Sequence, residues 1–385
     1  MGCLGLRINL HPHRSMALAR TVFLEDYDVF DKHEVYSSEN NLNHLSIKKT
    51  WSTKIMKVCV VGGTGNISRS IVKLLLEQGH EVTCFNRGQS GKVPEGSRVL
   101  HGDRKDRTMF EHTMQAERFD AAIDMICYNQ EDAQSSLQAF RGVHHFVQCS
   151  TVCTYGIDFD WIPVTENHPL RPNSDYGVGK VQADNLFLEA YYREGFPVTI
   201  IKPSSTYGPK LGMLRQIDGC ENAAWIDRIR KGKPIVVCGD GHAAHQFLHV
   251  DDAALCFANV LGKEYCIGQI YNMTKQGFTS WVKYHRTAMK VIGREVELVG
   301  VPLSDLQAWN VPDLLVCTIM LAHNTIFSAK RLFRDVPEFR PQISLEDGLA
   351  SMIEILDREG RIPNSDDIEW EDRIIAAQRR VRENA

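Results

Sequence analysis

Tyr176 and Lys180 are the two residues whose types and spacing most clearly suit chemistry. They lie four residues apart at the start of the helical pattern YGVGKVQADNLFLEAYYREG, so both side chains project from one helix face. An ammonium beside a phenol favours the phenolate and lowers the phenol pKa from its ordinary value of about 10. Tyr176 is therefore predicted to act as a base toward a hydroxyl group. Thr151, which follows the apolar run HHFVQCS, can orient the same hydroxyl through a hydrogen bond.

A second pair has the same spacing, because Tyr271 and Lys275 frame the segment YNMTK. Tyr271 ends an apolar, strand-like run that we expect in a smaller C-terminal lobe. Tyr176 instead begins a helix after a strand and a loop. This context favours Tyr176 and Lys180 as the catalytic pair.

A glycine-rich turn, GGTGNIS, interrupts an apolar run before a helical pattern. Gly62 allows a tight turn out of a strand, and Gly65 allows a pyrophosphate to approach the backbone at a helix N-terminus. Ser68 stands where a third glycine usually eases packing of the helix on the strand. Serine is small, so we expect the change to be tolerated. The turn predicts a dinucleotide site.

The ends of the next two strands carry polar side chains. Asn86 and Arg87 follow the run EVTCF, where folds that prefer NAD place an acid for the ribose hydroxyl. Arg87 can pair with a 2′-phosphate or lie over the adenine, which slightly favours NADP over NAD. Asp103, after the third strand, can accept a hydrogen bond from the adenine amino group.

The elements that must position these residues alternate along the chain. Six apolar, β-branched runs between residues 55 and 203 are separated by helical patterns, which predicts a parallel sheet covered on both faces. The regular alternation ends near Pro209. We expect a nucleotide-binding domain over residues 55–250 with some later segments, a small substrate lobe over 209–245 and 275–360, and a charged C-terminal helix over 361–385. Residues 1–54 are expected to be a disordered leader or to follow a start codon placed too early.

Composition excludes several classes of protein. The net charge of −4 gives no general field for nucleic acid or an anionic membrane, and no segment reaches the roughly 18 apolar residues of a membrane span. The eleven cysteines include no CxxC pair and indicate reduced thiols in a cytoplasmic protein. His242, His245 and His249 lie near one another, but no acidic ligand completes a metal pattern, so no metal site is predicted.

Six segments in this order resemble the extended short-chain dehydrogenase/reductases, the NAD-dependent epimerase/dehydratase group. They are the glycine turn, GDRKD, CSTVCTYG, TENHPLRPNSDYGVGK, IIKPSSTYGP and HQFLHVDDAA. The resemblance implies an α/β Rossmann-type doubly wound sheet with a smaller C-terminal α/β substrate-binding lobe, a bound NAD(P), a small-molecule substrate and a possible homodimer. It also implies a catalytic set of Thr151, Tyr176 and Lys180. The cofactor-binding set that it implies is Gly62, Thr64, Gly65, Asn66, Ile67, Asn86, Arg87, Asp103, Arg104, Met125, Tyr176, Lys180 and Pro203.

The reaction that the resemblance implies is oxidation of a secondary alcohol, with hydride passing to the nicotinamide. Reduction of the ketone from the other face would make the enzyme an epimerase, and release of the ketone would make it a dehydrogenase. Val152 and Cys153 stand where 4,6-dehydratases carry an Asp-Glu pair, which disfavours that reaction.

The substrate is predicted to contact Thr151, Tyr176, Ser205 and His245. Ser205 replaces an asparagine, and His245 replaces an arginine that meets the diphosphate in many relatives. A sugar or a sugar nucleotide is the expected substrate. Alternatives are a reductase of a non-nucleotide substrate, and a relative that binds NAD(P) or RNA without catalysis.

Overall fold

The structure, a computed structural model, describes residues 55–210, 215–217 and 222–383. The leader expected over residues 1–54 lies outside these ranges. The strands among the described residues are β1 (Lys57–Val61), β2 (Glu81–Asn86), β3 (Arg98–His101), β4 (Ala121–Asp124), β5 (His145–Cys149), β6 (Val198–Pro203), β7 (Ser205–Tyr207), β8 (Ile235–Cys238), β9 (Ala244–His245), β10 (Phe247–His249), β11 (Ile270–Met273), β12 (Thr279–Ser280) and β13 (Leu298–Val301).

Helices connect and cover these strands. They are α1 (Asn66–Glu77), α2 (Arg107–Glu117), α3 (Gln130–Ala139), α4 (Asp175–Glu194), α5 (Ala224–Lys231), α6 (Val250–Val260), α7 (Trp281–Ile292), α8 (Leu303–Ala308), α9 (Lys330–Asp335), α10 (Leu345–Arg358) and α11 (Glu369–Glu383). Short 3₁₀ turns cover Val152–Tyr155, Glu264–Cys266 and Ser365–Asp367, and a π-helical turn covers Cys317–Leu321. None of the helices in the described ranges is long and apolar enough to cross a bilayer.

The central sheet has seven parallel strands in the order β11-β6-β5-β4-β1-β2-β3. This arrangement confirms the predicted α/β Rossmann-type fold. The chain moves outward from β1 to β3 and then returns to β4 on the other side of β1. Loops at the carboxyl ends of β1 and β4 therefore leave in opposite directions, which opens a crevice suited to a ligand.

Alternate residues of β1 face the two sides of the sheet. Val58 and Val60 belong to one apolar cluster with residues of α1 and α6, whereas Cys59 and Val61 belong to another with residues of α2, α3 and α4. Both faces are covered, as the near-continuous hydrophobicity of the strands predicts.

The expectation that the run before Tyr271 lies in the small lobe is wrong, because β11 pairs with β6 in the central sheet. Tyr271 is fully buried there, and its hydroxyl donates to Asp335 Oδ2 at 3.0 Å. Lys275 Nζ donates elsewhere, to the carbonyl of Ile343. This second Tyr-Lys pair therefore serves packing.

A separate apolar core fills the small lobe, where β8 pairs in parallel with β13 and residues of α5, α7 and α10 pack together. Helix α11 is attached through Glu371, which is fully buried. Its carboxylate lies 2.5 Å from Arg215 Nη2 and 3.5 Å from Arg228 Nε, and it accepts from Val236 N at 2.7 Å. This buried cluster attaches one face of α11 to the lobe, while most of the helix's other side chains are exposed or half-buried.

Candidate active site

The glycine turn after β1 is closed by its own side chains. Gly62 has φ +85°, and a Cβ there would lie 2.7 Å from Ile126 Cγ2, so glycine is required at this turn. The hydroxyl of Ser68, which is fully buried, donates to Gly62 O at 2.7 Å and accepts from Gly65 N at 2.7 Å. The serine that departs from the usual glycine is therefore more than tolerated, since it holds the turn together.

A cavity of about 450 Å³ lies at the carboxyl ends of β1, β2 and β3. This volume falls within the usual range for sites that hold small molecules and cofactors. Asn86 is 7% exposed, and its Nδ2 has no hydrogen-bond partner among the described residues. A buried amide donor of this kind needs an acceptor, so a polar ligand fits the cavity. The predicted cofactor residues that line it are Gly62, Thr64, Gly65, Asn86, Arg87, Asp103 and Arg104.

Arg104 contributes to the wall of the cavity, but its guanidinium is committed to the protein. Nη1 lies 3.0 and 3.1 Å from the carboxylate oxygens of Asp124, and Nη2 donates to Asp132 O and Ser136 Oγ. The side chain is 5% exposed. The predicted cofactor contact of Arg104 stays a prediction: the residue lines the cavity, and its charged group closes a buried ion pair behind it.

The other cations of the cavity divide into two kinds. Lys210 Nζ donates to the carbonyls of Thr64 and Ser90, which fixes it in the protein. Arg87 and Lys105 are exposed, and their side chains form no hydrogen bond or ion pair with other described residues. The available positive charge therefore lies at the ends of β2 and β3.

Six predicted cofactor residues do not line this cavity; two of them, Tyr176 and Lys180, lie on α4 beside it. Asn66 lines a second cavity with Arg69 and Arg361. Ile67 is half-buried and packs on the core, Met125 N donates to Val61 O at 3.1 Å, and Pro203 pairs with Met273 at the end of β6.

Helix α4 brings Tyr176 and Lys180 toward Thr151. Ser174 caps the helix by accepting from Gly177 N at 3.2 Å. The two glycines of YGVGK allow close contact on both sides, because a Cβ at Gly177 would lie 2.8 Å from Cys153 O and one at Gly179 would lie 2.4 Å from Tyr128 O. The start of the helix is thus held between the turn that follows Thr151 and the loop that carries Tyr128.

Lys180 is 1% exposed, and its Nζ donates to Cys149 O at 2.6 Å. The same atom lies 5.8 Å from the ring centroid of Tyr176. Among the protein's own groups, desolvation raises the pKa of the Tyr176 phenol, and a hydrogen bond from Thr151 acts in the opposite direction. Desolvation is the largest cause of this shift, and a carbonyl acceptor leaves the charge of the Lys180 ammonium in place, so the lowering of the phenol pKa by Lys180 stays a prediction.

A buried ion pair lies beneath the catalytic residues and was not found from the sequence. Asp184, one helical turn after Lys180, is 3.2 Å from Lys202 Nζ, and both side chains are 2% exposed. Asp184 accepts from Ser150 Oγ at 2.6 Å, and Lys202 donates to Thr154 Oγ1 at 2.8 Å. Ser150 and Thr154 flank Thr151, so the pair fixes the segment that presents its hydroxyl. Thr151 also caps the next turn by accepting from Cys153 N at 3.2 Å.

The two predicted substrate contacts in the C-terminal half differ in their placement. Ser205 is half-buried in β7 and pairs with Phe247 of β10. His245 is fully buried, with Nε2 at 3.0 Å from Leu321 O and Nδ1 at 2.7 Å from Thr325 Oγ1. Both ring nitrogens are engaged, so the prediction that His245 contacts the substrate is corrected. No group of three His, Cys, Asp or Glu residues in the described ranges could hold a metal ion.

Tyr128 is a further residue at this site that the sequence interpretation missed. It lines the cavity, and its ring centroid lies 4.9 Å from Lys180 Nζ and 6.2 Å from the Tyr176 centroid. Its position after β4, at the carboxyl edge of the sheet, is the signal that could have identified it.

Comparison with known proteins shows which family this chain belongs to. Residues 58–274 match the family described as the NAD dependent epimerase/dehydratase family. The 2′-dehydrokanamycin reductase of Streptomyces kanamyceticus is 29% identical over 250 residues, which are 64% of this chain and 70% of that protein. The chloroplast stem-loop binding protein of 41 kDa b from Arabidopsis thaliana is 28% identical over 240 residues, 58% of this chain and 60% of that protein.

Solved structures share the fold. The UDP-glucose 4-epimerase of Thermotoga maritima, solved with UDP-glucose, superposes with a TM-score of 0.65 at 20% identity. The superposition covers 79% of this chain and 99% of the epimerase.

Proposed function

Because the chain belongs to the NAD-dependent epimerase/dehydratase family, we propose that it binds NAD(P) and acts on a secondary alcohol, or the matching ketone, of a sugar or sugar nucleotide. The proposal rests on one observation. Thr151, Tyr176 and Lys180 lie close together, beside the cavity that the glycine turn lines. Asn86 and the backbone of the turn would hold the adenosine and pyrophosphate of the cofactor.

The proposed roles of the side chains follow from their contacts. The nicotinamide, when bound, supplies hydride acceptance and return. Tyr176 exchanges the proton of the substrate hydroxyl, because its phenol lies within the hydrogen-bonding reach of Thr151. Thr151 orients that hydroxyl, and Lys180 provides a buried positive charge that favours the phenolate and binds ribose hydroxyls. In the direction of oxidation, the alcohol loses its hydroxyl proton to Tyr176 and its carbon-bound hydrogen as hydride.

We propose that NADP binds at least as well as NAD. Arg87 and Lys105 both line the cavity and are available to an added phosphate, whereas no aspartate or glutamate follows β2 directly. A charge-assisted contact of this kind is worth about 1 to 2 kcal/mol, roughly a tenfold preference.

The reaction is proposed to be that of an epimerase with a transient ketone, and a reductase of a non-nucleotide sugar is the second candidate. One observation favours the reductase: His245 is buried and engaged, so it offers no contact to a diphosphate. The similarity to a 2′-dehydrokanamycin reductase agrees with this candidate. Val152 and Cys153 supply no acid or base for loss of water, which disfavours 4,6-dehydration.

Two assays test the proposal. Calorimetric titration with NADPH, NADH and a stem-loop RNA measures which ligands bind, and we expect NADPH to bind most tightly and RNA not to compete with it. A panel of keto-sugars and sugar nucleotides is then followed at the nicotinamide absorbance and by product analysis. A reductase consumes NADPH in proportion to product, and an epimerase forms product without net consumption. Binding of RNA without binding of either nicotinamide cofactor would contradict the proposal.

A further inference from the structure

Tyr128 lies where the cofactor cavity meets the catalytic residues. It is on the loop between β4 and α3, and it lines the cavity together with Gly62 and Asn86. The face of its ring lies 4.9 Å from Lys180 Nζ, closer than the ring of Tyr176 at 5.8 Å. Of these two phenol rings, Tyr128 is the nearer neighbour of the ammonium.

The backbone of Tyr128 is fixed relative to the catalytic helix. Its N–H donates to Asp132 Oδ2 at 3.0 Å, and Asn129 caps α3 by accepting from Asp132 N at 2.8 Å. Its carbonyl lies against Gly179, where a Cβ would approach to 2.4 Å. Gly179 directly precedes Lys180, so this contact fixes the position of the Tyr128 loop relative to the Lys180 side chain.

Lys180 has few other partners. The residue is 1% exposed, and the hydrogen bond to Cys149 O is the one that its ammonium makes with the described residues. An ammonium has three donors, and the face of an aromatic ring attracts a cation that lies within about 6 Å of its centroid. The Tyr128 ring therefore supplies the second attraction that holds Lys180 at the boundary of the cavity.

We infer that Tyr128 is a positioning residue for the nicotinamide half of the cofactor, acting through Lys180. The inference rests on the proposed function, because it assigns Lys180 to the nicotinamide ribose. The adenosine half, near Arg87 at the other end of the cavity, should not depend on Tyr128.

The experiment compares a whole cofactor with its adenosine half. Affinities for NADPH and for adenosine 2′,5′-bisphosphate are measured by calorimetry with wild-type protein and with Tyr128→Leu, Lys180→Met and the double variant. Tyr128→Leu is expected to weaken NADPH binding by about five- to tenfold and to change bisphosphate binding by less than about twofold. In the Lys180→Met background, Tyr128→Leu is expected to cause no further loss.

Two control variants define the role of the ring. Tyr128→Phe keeps the aromatic face and is expected to bind NADPH like the wild type. Tyr192→Leu changes a tyrosine of α4 that is 77% exposed, and it should affect neither ligand. If Tyr128→Leu is not folded by circular dichroism, Tyr128→Met takes its place.

The possible results separate the inference from the proposed function. Equal weakening of both ligands, an unchanged NADPH affinity, or a further loss in the Lys180→Met background would each overturn the role of Tyr128. If wild-type protein bound neither ligand, the proposed cofactor site would itself be refuted. Selective loss of NADPH affinity that disappears without Lys180 would support the inference.

Discussion

Replacement of Asp184 by asparagine tests how strongly the buried ion pair supports the catalytic segment. The carboxylate lies 3.2 Å from Lys202 Nζ with both side chains 2% exposed, so the change leaves a buried ammonium without its counter-charge. Removing one partner of a buried pair typically costs about 3 to 5 kcal/mol. Asparagine still accepts from Ser150 Oγ, and Lys202 keeps Thr154 Oγ1 and the ring of Tyr155 at 4.9 Å. We therefore expect the lower end, about 3 kcal/mol.

Urea and thermal unfolding, followed by circular dichroism, measure this loss. A decrease of about 3 kcal/mol corresponds to a fall in Tm of about 5 °C for a chain of this size. Glu77→Gln is the matched control, because the pair of Glu77 with Lys73 is exposed and spans 3.7 Å, and no measurable shift is expected.

The double variant Asp184→Asn with Lys202→Met gives the decisive result. It removes both charges, so most of the lost stability should return. If the double variant were as unstable as the sum of the two single variants, the cost would come from packing, and the electrostatic reasoning would be refuted.

Three further predictions concern single residues. Tyr176→Phe should lower turnover of the substrate found in the panel by about 10² to 10⁴ while NADPH affinity, measured by calorimetry, stays within about twofold, and near wild-type turnover would remove Tyr176 from the mechanism. Gly179→Ala should destabilise the protein by about 1 to 3 kcal/mol in urea unfolding, since its Cβ would lie 2.4 Å from Tyr128 O, and unchanged stability would show that the loop can move away. Burial, with the charge of Arg215 acting in the same direction, lowers the pKa of His285 to about 3. Below about pH 6.5 the imidazole of His285 is therefore protonated in the unfolded chain but stays neutral in the folded chain. Stability is therefore lost as pH falls through this window, and His285→Phe should gain about 2 kcal/mol relative to wild type between pH 7.5 and pH 5 in urea unfolding; an equal gain at both values would contradict the assignment.

The alternating pattern was sufficient to predict β1 to β6, because each strand and its crossover helix are local in sequence. It could not place β11, since a short apolar run does not show which sheet it joins. The pairing of Ile270 with Ile200 is decided by packing between segments that are far apart in the chain.

In the candidate site, too, features set by local sequence were predicted, and contacts between distant segments were not. Gly62 and the Tyr176–Lys180 pair were predicted from local spacing. The hydrogen bonds of His245 were not, because they depend on Leu321 O and Thr325 in a distant turn. The hydrogen bond from Lys180 to Cys149 O was missed for a similar reason. Helix spacing shows which side chains share a face, but it does not show which backbone groups they contact.

The buried carboxylate of Glu371 has a consequence for the synthesis of this protein. Arg215 and Glu371 are 156 residues apart, and the central sheet is complete in sequence once β11 has been made. At about 5 to 20 residues per second, Glu371 leaves the ribosome about 8 to 30 s after Arg215. During that interval the central sheet can form, whereas the small lobe must wait with the guanidiniums of Arg215 and Arg228 still facing water. The half that contains the central sheet should therefore become resistant to protease on nascent chains well before the small lobe does.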